Sequence, residues 1–236
     1  WPRKHSAREV MRAASTGHYD VVTVQDPFWR GLLGWRVARS SGAKFNVQVH
    51  TDLSSQNFFR HICAKIVLRH ADSIRVVSLR IKQQVERVRV RAAVTVLPVF
   101  VDLARFSAIV PRPHTQPTIL WIGRFEDEKD PRLALKVFKQ VREMGIDAKL
   151  IMLGAGSLEH TLHKEAGNLP IVFPGWHNPA IYLAEADVVL STSHFESWGA
   201  SIVEALAGGV PVVATDIGIA REAGAVVVPR QELSRA

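Results

Sequence analysis

The sequence has little of several things, and each shortage excludes something. It has a single cysteine, Cys63, among 236 residues, so no disulfide can form within the chain. Cys63 lies in Phe59-Arg60-His61-Ile62-Cys63-Ala64, a segment that reads as helix, and is expected to be a buried structural thiol. No apolar run is long enough to cross a bilayer, and no signal peptide opens the chain. There is no repeat of fixed period, no low-complexity tract, no P-loop and no Gly-x-Ser-x-Gly. No His, Cys, Asp or Glu cluster has metal-ligand spacing, so no bound metal is expected.

What is present is hydrophobic and basic. Hydrophobic residues make up 47%, enough for real cores and too many for a disordered chain. Thirty Lys and Arg against 22 Asp and Glu give a formal charge of +8, which favours anionic partners such as phosphorylated ligands, acidic lipid surfaces or nucleic acid. One moderate cluster, Arg80, Lys82, Arg87, Arg89 and Arg91, is either a solvated helix face or an anion patch. Basic and aromatic residues do not interleave as a nucleic-acid surface requires, so no nucleic-acid partner is expected.

Short β-branched runs alternate with helical stretches. The expected strands are Asp20–Val24, Lys44–Val49, Ser73–Val77, Val94–Leu97, Thr118–Ile122, Ala148–Leu153, Ile171–Phe173, Val188–Ser191, Val210–Ala214 and Ala225–Val228. Most are solid Val, Ile and Leu, as in parallel sheets covered on both faces by helices. The fold class is therefore α/β, doubly wound. A capping box at Ser6–Glu9 predicts a helix ending near Gly17, Asp130-Pro131 opens another that stops at Gly145, and a third runs from Ala200 to Leu206 before Gly208-Gly209. Four prolines between Pro98 and Pro117 mark the boundary, giving domains at 1–110 and 111–236. The first has few strands for an independent domain and the chain starts at Trp1, not Met, so an opening part of that domain is expected to be missing.

Open α/β sheets bind ligands beyond the carboxyl ends of their strands. After Val188–Ser191 a loop leads through Glu196 and Gly199 into a helix beginning Ala200-Ser201-Ile202, with Glu204 one turn inside. The unpaired first amides of such a helix attract phosphate, and two carboxylates beside them suit sugar and ribose hydroxyls. The alternative is that Glu196 caps the helix and Glu204 makes a surface ion pair. After Thr118–Ile122, Arg124 and Lys129 flank a turn where their charges would neutralise a diphosphate, unless Arg124 simply pairs with Glu126 or Glu128. Gly154-Ala155-Gly156 lacks the third glycine of the dinucleotide fingerprint and reads as a tight turn. His50 ends a strand, where it either faces a cleft or is a satisfied structural histidine.

Together these pieces resemble the retaining glycosyltransferases of the GT-B fold, family 4. The resemblance rests on Glu196 to Glu204 followed by Ala205-Leu206-Ala207-Gly208-Gly209-Val210-Pro211-Val212-Val213, on Gly123-Arg124 with Glu128-Lys129, on Gly154 and Gly156, and on Ala186–Ser193. It implies two Rossmann-like domains, the amino-terminal, acceptor-side one incomplete. It implies transfer of a hexose from a nucleotide diphosphate sugar to a glycan, lipid or small-molecule hydroxyl, with retention and without metal or other cofactor. It assigns Arg124 and Lys129 to the diphosphate, Glu196 to the donor sugar, Glu204 to the ribose, the amides around Gly199, Ala200 and Ser201 to sugar or phosphate, and His50 to the catalytic cleft. A cytoplasmic protein with peripheral contact to an anionic inner membrane face is expected. Rivals are a non-catalytic nucleotide-sugar-binding module, a nucleotide-sugar epimerase and a glycoside phosphorylase. The chain departs from the family in having Val99-Phe100 for Asn-Gly, Thr23 and Gln25 where a His often stands, and Trp198-Gly199 for Phe-Gly. It also lacks the family's opening Gly-rich loop and closing helices.

Overall fold

The computed structural model describes Glu9, residues 17–233 and Arg235. The helix expected from Ser6 to near Gly17 falls on residues that, Glu9 apart, lie outside that set. The chain divides into two compact units, Trp1–Val99 and Phe100–Ala236.

The first unit holds a four-stranded parallel sheet in the order β1-β2-β3-β4: β1 (Val21–Gln25), β2 (Lys44–Val49), β3 (Ser73–Val76) and β4 (Ala93–Val96). The strands are linked by α1 (Trp29–Ser41), α2 (Phe58–Arg69) and α3 (Leu79–Glu86). Asn57 caps α2 by accepting from the Arg60 amide at 3.0 Å, and Ser78 caps α3 by accepting from Ile81 at 3.3 Å. Phe45, Val47 and Val49 of β2 and Ile74 and Val76 of β3 are buried, as are Ala64, Val67 and Leu68 of α2. The intervening strand residues do not continue this apolar pattern. Thr23 and Gln48 hydrogen-bond across β1 and β2, Asn46 reaches Ser73, and Arg75 reaches Gln48 at 2.8 Å. One face of this sheet is therefore a polar ladder, which corrects the expectation of strands apolar on both faces. Cross-strand hydrogen bonds satisfy these side chains where burial does not.

The second unit carries a six-stranded parallel sheet in the order β10-β9-β8-β5-β6-β7. Its strands are β5 (Thr118–Ile122), β6 (Lys149–Leu153), β7 (Ile171–Gly175), β8 (Val188–Ser191), β9 (Val212–Ala214) and β10 (Val226–Val227). Its helices are α4 (Leu103–Ser107), α5 (Pro131–Glu143), α6 (Glu159–Ala166), α7 (Pro179–Leu183), α8 (Ala200–Ala207) and α9 (Ala220–Ala223). Alternation along β5 sends Ile119 and Trp121 into one core with Leu135 and Phe138 of α5, and Leu120 into another with Ile202 and Ala205 of α8. This unit is covered on both faces, as solid apolar strands require. The division falls at Val99, ahead of the expected boundary after residue 110. Phe106 of α4 is 5% exposed in the α8-side core, and that burial binds the proline-rich segment to the second unit.

The strand order sets the ligand position. The chain runs outward from β5 to β6 and β7, then returns to place β8 on the other side of β5. The reversal opens a crevice between the carboxyl ends of β5 and β8, where open α/β sheets take their ligands.

Candidate functional site

The loops leaving β5 and β8 form the two walls of that crevice. Asp127–Lys129 make one 3-10 turn, and Asp130 follows in a left-handed conformation (φ 45°), capping α5 by accepting from the Leu133 amide at 3.1 Å. Pro131 then occupies the first helical turn, where a missing amide costs nothing. On the opposite wall, Gly199 has φ 101°, a conformation that penalises a side chain, and starts α8 with no side-chain cap. The Ile202 and Val203 amides bond back to the Gly199 carbonyl, so those of Ala200 and Ser201 precede the first intrahelical bonds.

Lys129 crosses to Glu196 as an ion pair, with side chains only 19% and 16% exposed. Ser193 donates to the same Glu196 oxygen at 3.0 Å. Glu196 is thus a crevice group, and the alternative in which it caps α8 does not hold. Arg124 pairs instead with Glu128, and both are largely exposed, at 64% and 48%. This is the local pairing weighed from sequence. Glu126 is held by the Ser157 hydroxyl at 2.7 Å and amide at 3.0 Å, which lower its carboxyl pKa. The two walls are also tied through backbone, the His194 amide donating to the Glu128 carbonyl at 2.9 Å.

Glu204 sits one turn into α8, half-buried. Desolvation raises its pKa, opposed by the field of Arg105. A carboxyl raised on folding makes stability fall as pH climbs from its unfolded value through its folded one. Glu204→Gln is expected to flatten that segment of the stability–pH profile, read by urea unfolding across the mildly acidic range. An unchanged slope would mean that Glu204 is not desolvated.

Behind the crevice lies a buried polar node absent from the sequence analysis. The fully buried Thr192 hydroxyl donates to the Lys129 and Asp130 carbonyls at 3.0 and 2.8 Å and accepts from the Trp121 indole at 2.9 Å. Arg230 pairs with Asp130 and donates to the Thr192 and Ser193 carbonyls at 2.9 and 3.2 Å. Thr192 and Ser193 had a sequence signal, since they directly follow β8. Arg230 had none, because it arrives from β10. Thr192→Val keeps the shape but strips these bonds and should cost about 1–3 kcal/mol in chemical denaturation. A loss near zero would show that the node is not stabilising.

Gly154 and Gly156 serve packing. The Phe125 amide bonds to the Ala155 carbonyl at 2.9 Å, so the turn after β6 lies against the loop after β5. In the first unit, His50 follows β2 half-buried. Its amide donates to Asp26 at 2.9 Å and its ring contacts Gln48 at 3.4 Å. Asp52, 8% exposed, braces the same loop by accepting from Ser54 and Gln84. Cys63 is half-buried rather than fully buried, with its thiol pKa raised by desolvation. Among the described residues no group of three His, Cys, Asp or Glu side chains could hold a metal. A separate cleft of about 420 Å³, lined by His194, Thr215, Asp216, Arg221 and Arg230, lies toward β9 and β10.

Two Rossmann-like parallel sheets, the second with a Lys–Glu pair across its switch point and a glycine-started helix beside it, define a protein of the GT-B class. The chain belongs to the glycosyl transferases group 1 family, whose model matches residues 104–225; the Glycosyltransferase Family 4 model matches residues 2–105. It is 33% identical over 144 residues to a GDP-mannose-dependent alpha-(1-6)-phosphatidylinositol dimannoside mannosyltransferase of Mycobacterium tuberculosis, covering 56% of this chain and 38% of that protein. It is 26% identical to an alpha-monoglucosyldiacylglycerol synthase of Streptococcus pneumoniae, covering 87% of this chain and 54% of that one. The chain thus spans about half or less of these curated relatives. A solved structure of HepE from Anabaena, in complex with UDP and glucose, superposes with a TM-score of 0.74 at 18% identity, covering 91% of this chain and 64% of that one.

Proposed function

We propose that this chain is the donor-binding part of an enzyme that moves a hexose from a nucleotide diphosphate sugar to a hydroxyl acceptor, retaining anomeric configuration. The carrying observation is the Lys129–Glu196 pair across the crevice between β5 and β8. A diphosphate entering there meets Lys129, the exposed guanidinium of Arg124 and the first amides of α8, at Ala200 and Ser201. Glu196, released from Lys129, accepts from sugar hydroxyls, and Glu204 accepts from the ribose. His50, after β2, is assigned a catalytic role.

In this reading the bond from the anomeric carbon to phosphate breaks as the acceptor oxygen bonds that carbon on the same face. The acceptor proton passes to the departing phosphate oxygen. The chain's task is to hold the growing negative charge of the diphosphate, which Lys129, Arg124 and the helix amides do without a metal. The relatives named for phosphatidylinositol dimannoside and monoglucosyldiacylglycerol favour a lipid acceptor and, with it, peripheral contact with an anionic inner membrane face.

A calorimetric screen of UDP-, GDP- and ADP-sugars tests the reading, followed by product analysis with the donor that binds. One donor should bind and yield a retained glycoside in the enzyme. An acceptor-independent epimer, a requirement for free phosphate, or no binding by any donor would reject it.

A further inference from the structure

The first unit carries a second constellation, in a groove that starts at Leu53 and Ser54 of the loop after β2. Residues of α2 and of the α3 carboxyl end line a groove of about 530 Å³. His61, Lys65 and Arg69 follow one another at four-residue spacing along α2, so they form one stripe on that helix. Arg87 and Arg89 face them from beyond α3. No carboxylate lines the groove, and Glu86 beside these arginines is paired to Lys82 at 3.8 Å. Arg69 bonds the Val88 carbonyl at 3.1 Å through Nε, which fixes the arginine at the groove while its terminal nitrogens stay available. Arg89 has φ 58°, a left-handed conformation that costs a non-glycine residue about 1 kcal/mol or more. Arg89 thus joins Lys65, Arg69 and Arg87 at one groove, where an anion between them would offset their mutual repulsion.

The adjoining stripe of α2 says what kind of anion. Phe59, Ile62 and Ile66 share one face and are 80%, 44% and 39% exposed, while Ala64, Val67 and Leu68 fill the core. Helix α2 thus has a third, apolar face turned outward beside its basic one. A soluble phosphate has no use for exposed phenylalanine and isoleucine. A lipid surface does, since the cations meet headgroup phosphates while the apolar stripe enters the acyl boundary.

We infer that the α2–α3 groove is the site at which this protein docks on anionic phospholipid, Lys65, Arg69, Arg87 and Arg89 taking headgroup phosphates and Phe59, Ile62 and Ile66 inserting beside them. This deepens the membrane contact proposed above and is independent of the donor crevice. The test is sedimentation with phosphatidylcholine vesicles with and without phosphatidylglycerol. The protein should partition onto the anionic vesicles only. Lys65→Ala and Arg89→Gly should each weaken partition about fivefold, and together about 25-fold. Arg89→Gly suits the observed backbone, so its loss of binding cannot be ascribed to misfolding. Phe59→Ser should also weaken binding to vesicles. Donor binding by calorimetry should be unchanged in all these variants, and Lys129→Ala should leave vesicle binding intact, so the two readings fail separately. Equal partition onto neutral vesicles, wild-type partition of the double variant, displacement by millimolar inorganic phosphate, or tighter binding to an RNA oligonucleotide would each overturn the proposal.

Discussion

Lys129→Ala is expected to lower kcat/KM for sugar transfer by about 10³-fold, and Arg124→Ala by only about fivefold. Sequence gives the two residues the same assignment; their surroundings separate them. Lys129 is 19% exposed and is held at Glu196 before any donor arrives. Removing it takes away the cation proposed to meet the diphosphate and also leaves the Glu196 carboxylate, itself 16% exposed, with Ser193 as its hydrogen-bond partner. That unneutralised charge would face an incoming dianion in a partly dry crevice, where Coulomb terms are several times larger than in water. Arg124 is 64% exposed and paired to an exposed glutamate, so water screens what it contributes. Initial rates at subsaturating donor measure both. Equal losses would show that the crevice does not distinguish the two cations, and a Lys129 variant of wild-type efficiency would remove it from the site.

Gly154→Ala is expected to cost about 3–5 kcal/mol of stability, enough to unfold a marginal protein. A Cβ there would lie 1.8 Å from the Gly123 carbonyl oxygen and 3.0 Å from its carbon, on a backbone with φ 158°. The obstruction is main chain and cannot turn aside. Gly123 is itself fixed, its amide donating to the Leu153 carbonyl at 3.0 Å, and the Gly154 amide donates to the Gly175 carbonyl at 3.0 Å. The ends of β5, β6 and β7 meet at this point, so movement to admit a methyl group would break bonds in all three. Gly145→Ala supplies the comparison. It has φ 85° and nothing within 4 Å, leaving only backbone strain of about 1 kcal/mol. Urea unfolding of both variants separates the terms; similar losses would mean that the 1.8 Å approach relaxes freely.

The strands were legible because short β-branched runs alternate with helical stretches, and in the second unit those runs are buried between two helical layers. Every expected run became a strand, with ends shifted by local chemistry. The run expected at Val210–Ala214 begins at Val212, since the Val210 amide still bonds the Ala205 carbonyl of α8 and Pro211 has no amide to give. The polar ladder of the first sheet was not legible. Thr23, Asn46 with Gln48, and Arg75 come from three different strands, and only register shows that they meet. The same limit governed the crevice. Lys129 and Glu196 are 67 residues apart, and the strand order that brings them together is a property of the whole sheet. Sequence could nominate both residues from their positions after strands, but it could not choose between Glu128 and Glu196 as the partner of a given cation. Arg230 joins Asp130 over 100 residues and had no local signal.

The central claim is met most directly by a crystal structure of the protein with a bound nucleoside diphosphate. The diphosphate should lie between Lys129 Nζ and the Ala200 and Ser201 amides, within hydrogen-bond distance of both. A diphosphate held instead at the turn of Gly154 and Gly156, or in the cleft beside Arg221, with Lys129 still on Glu196, would contradict the account.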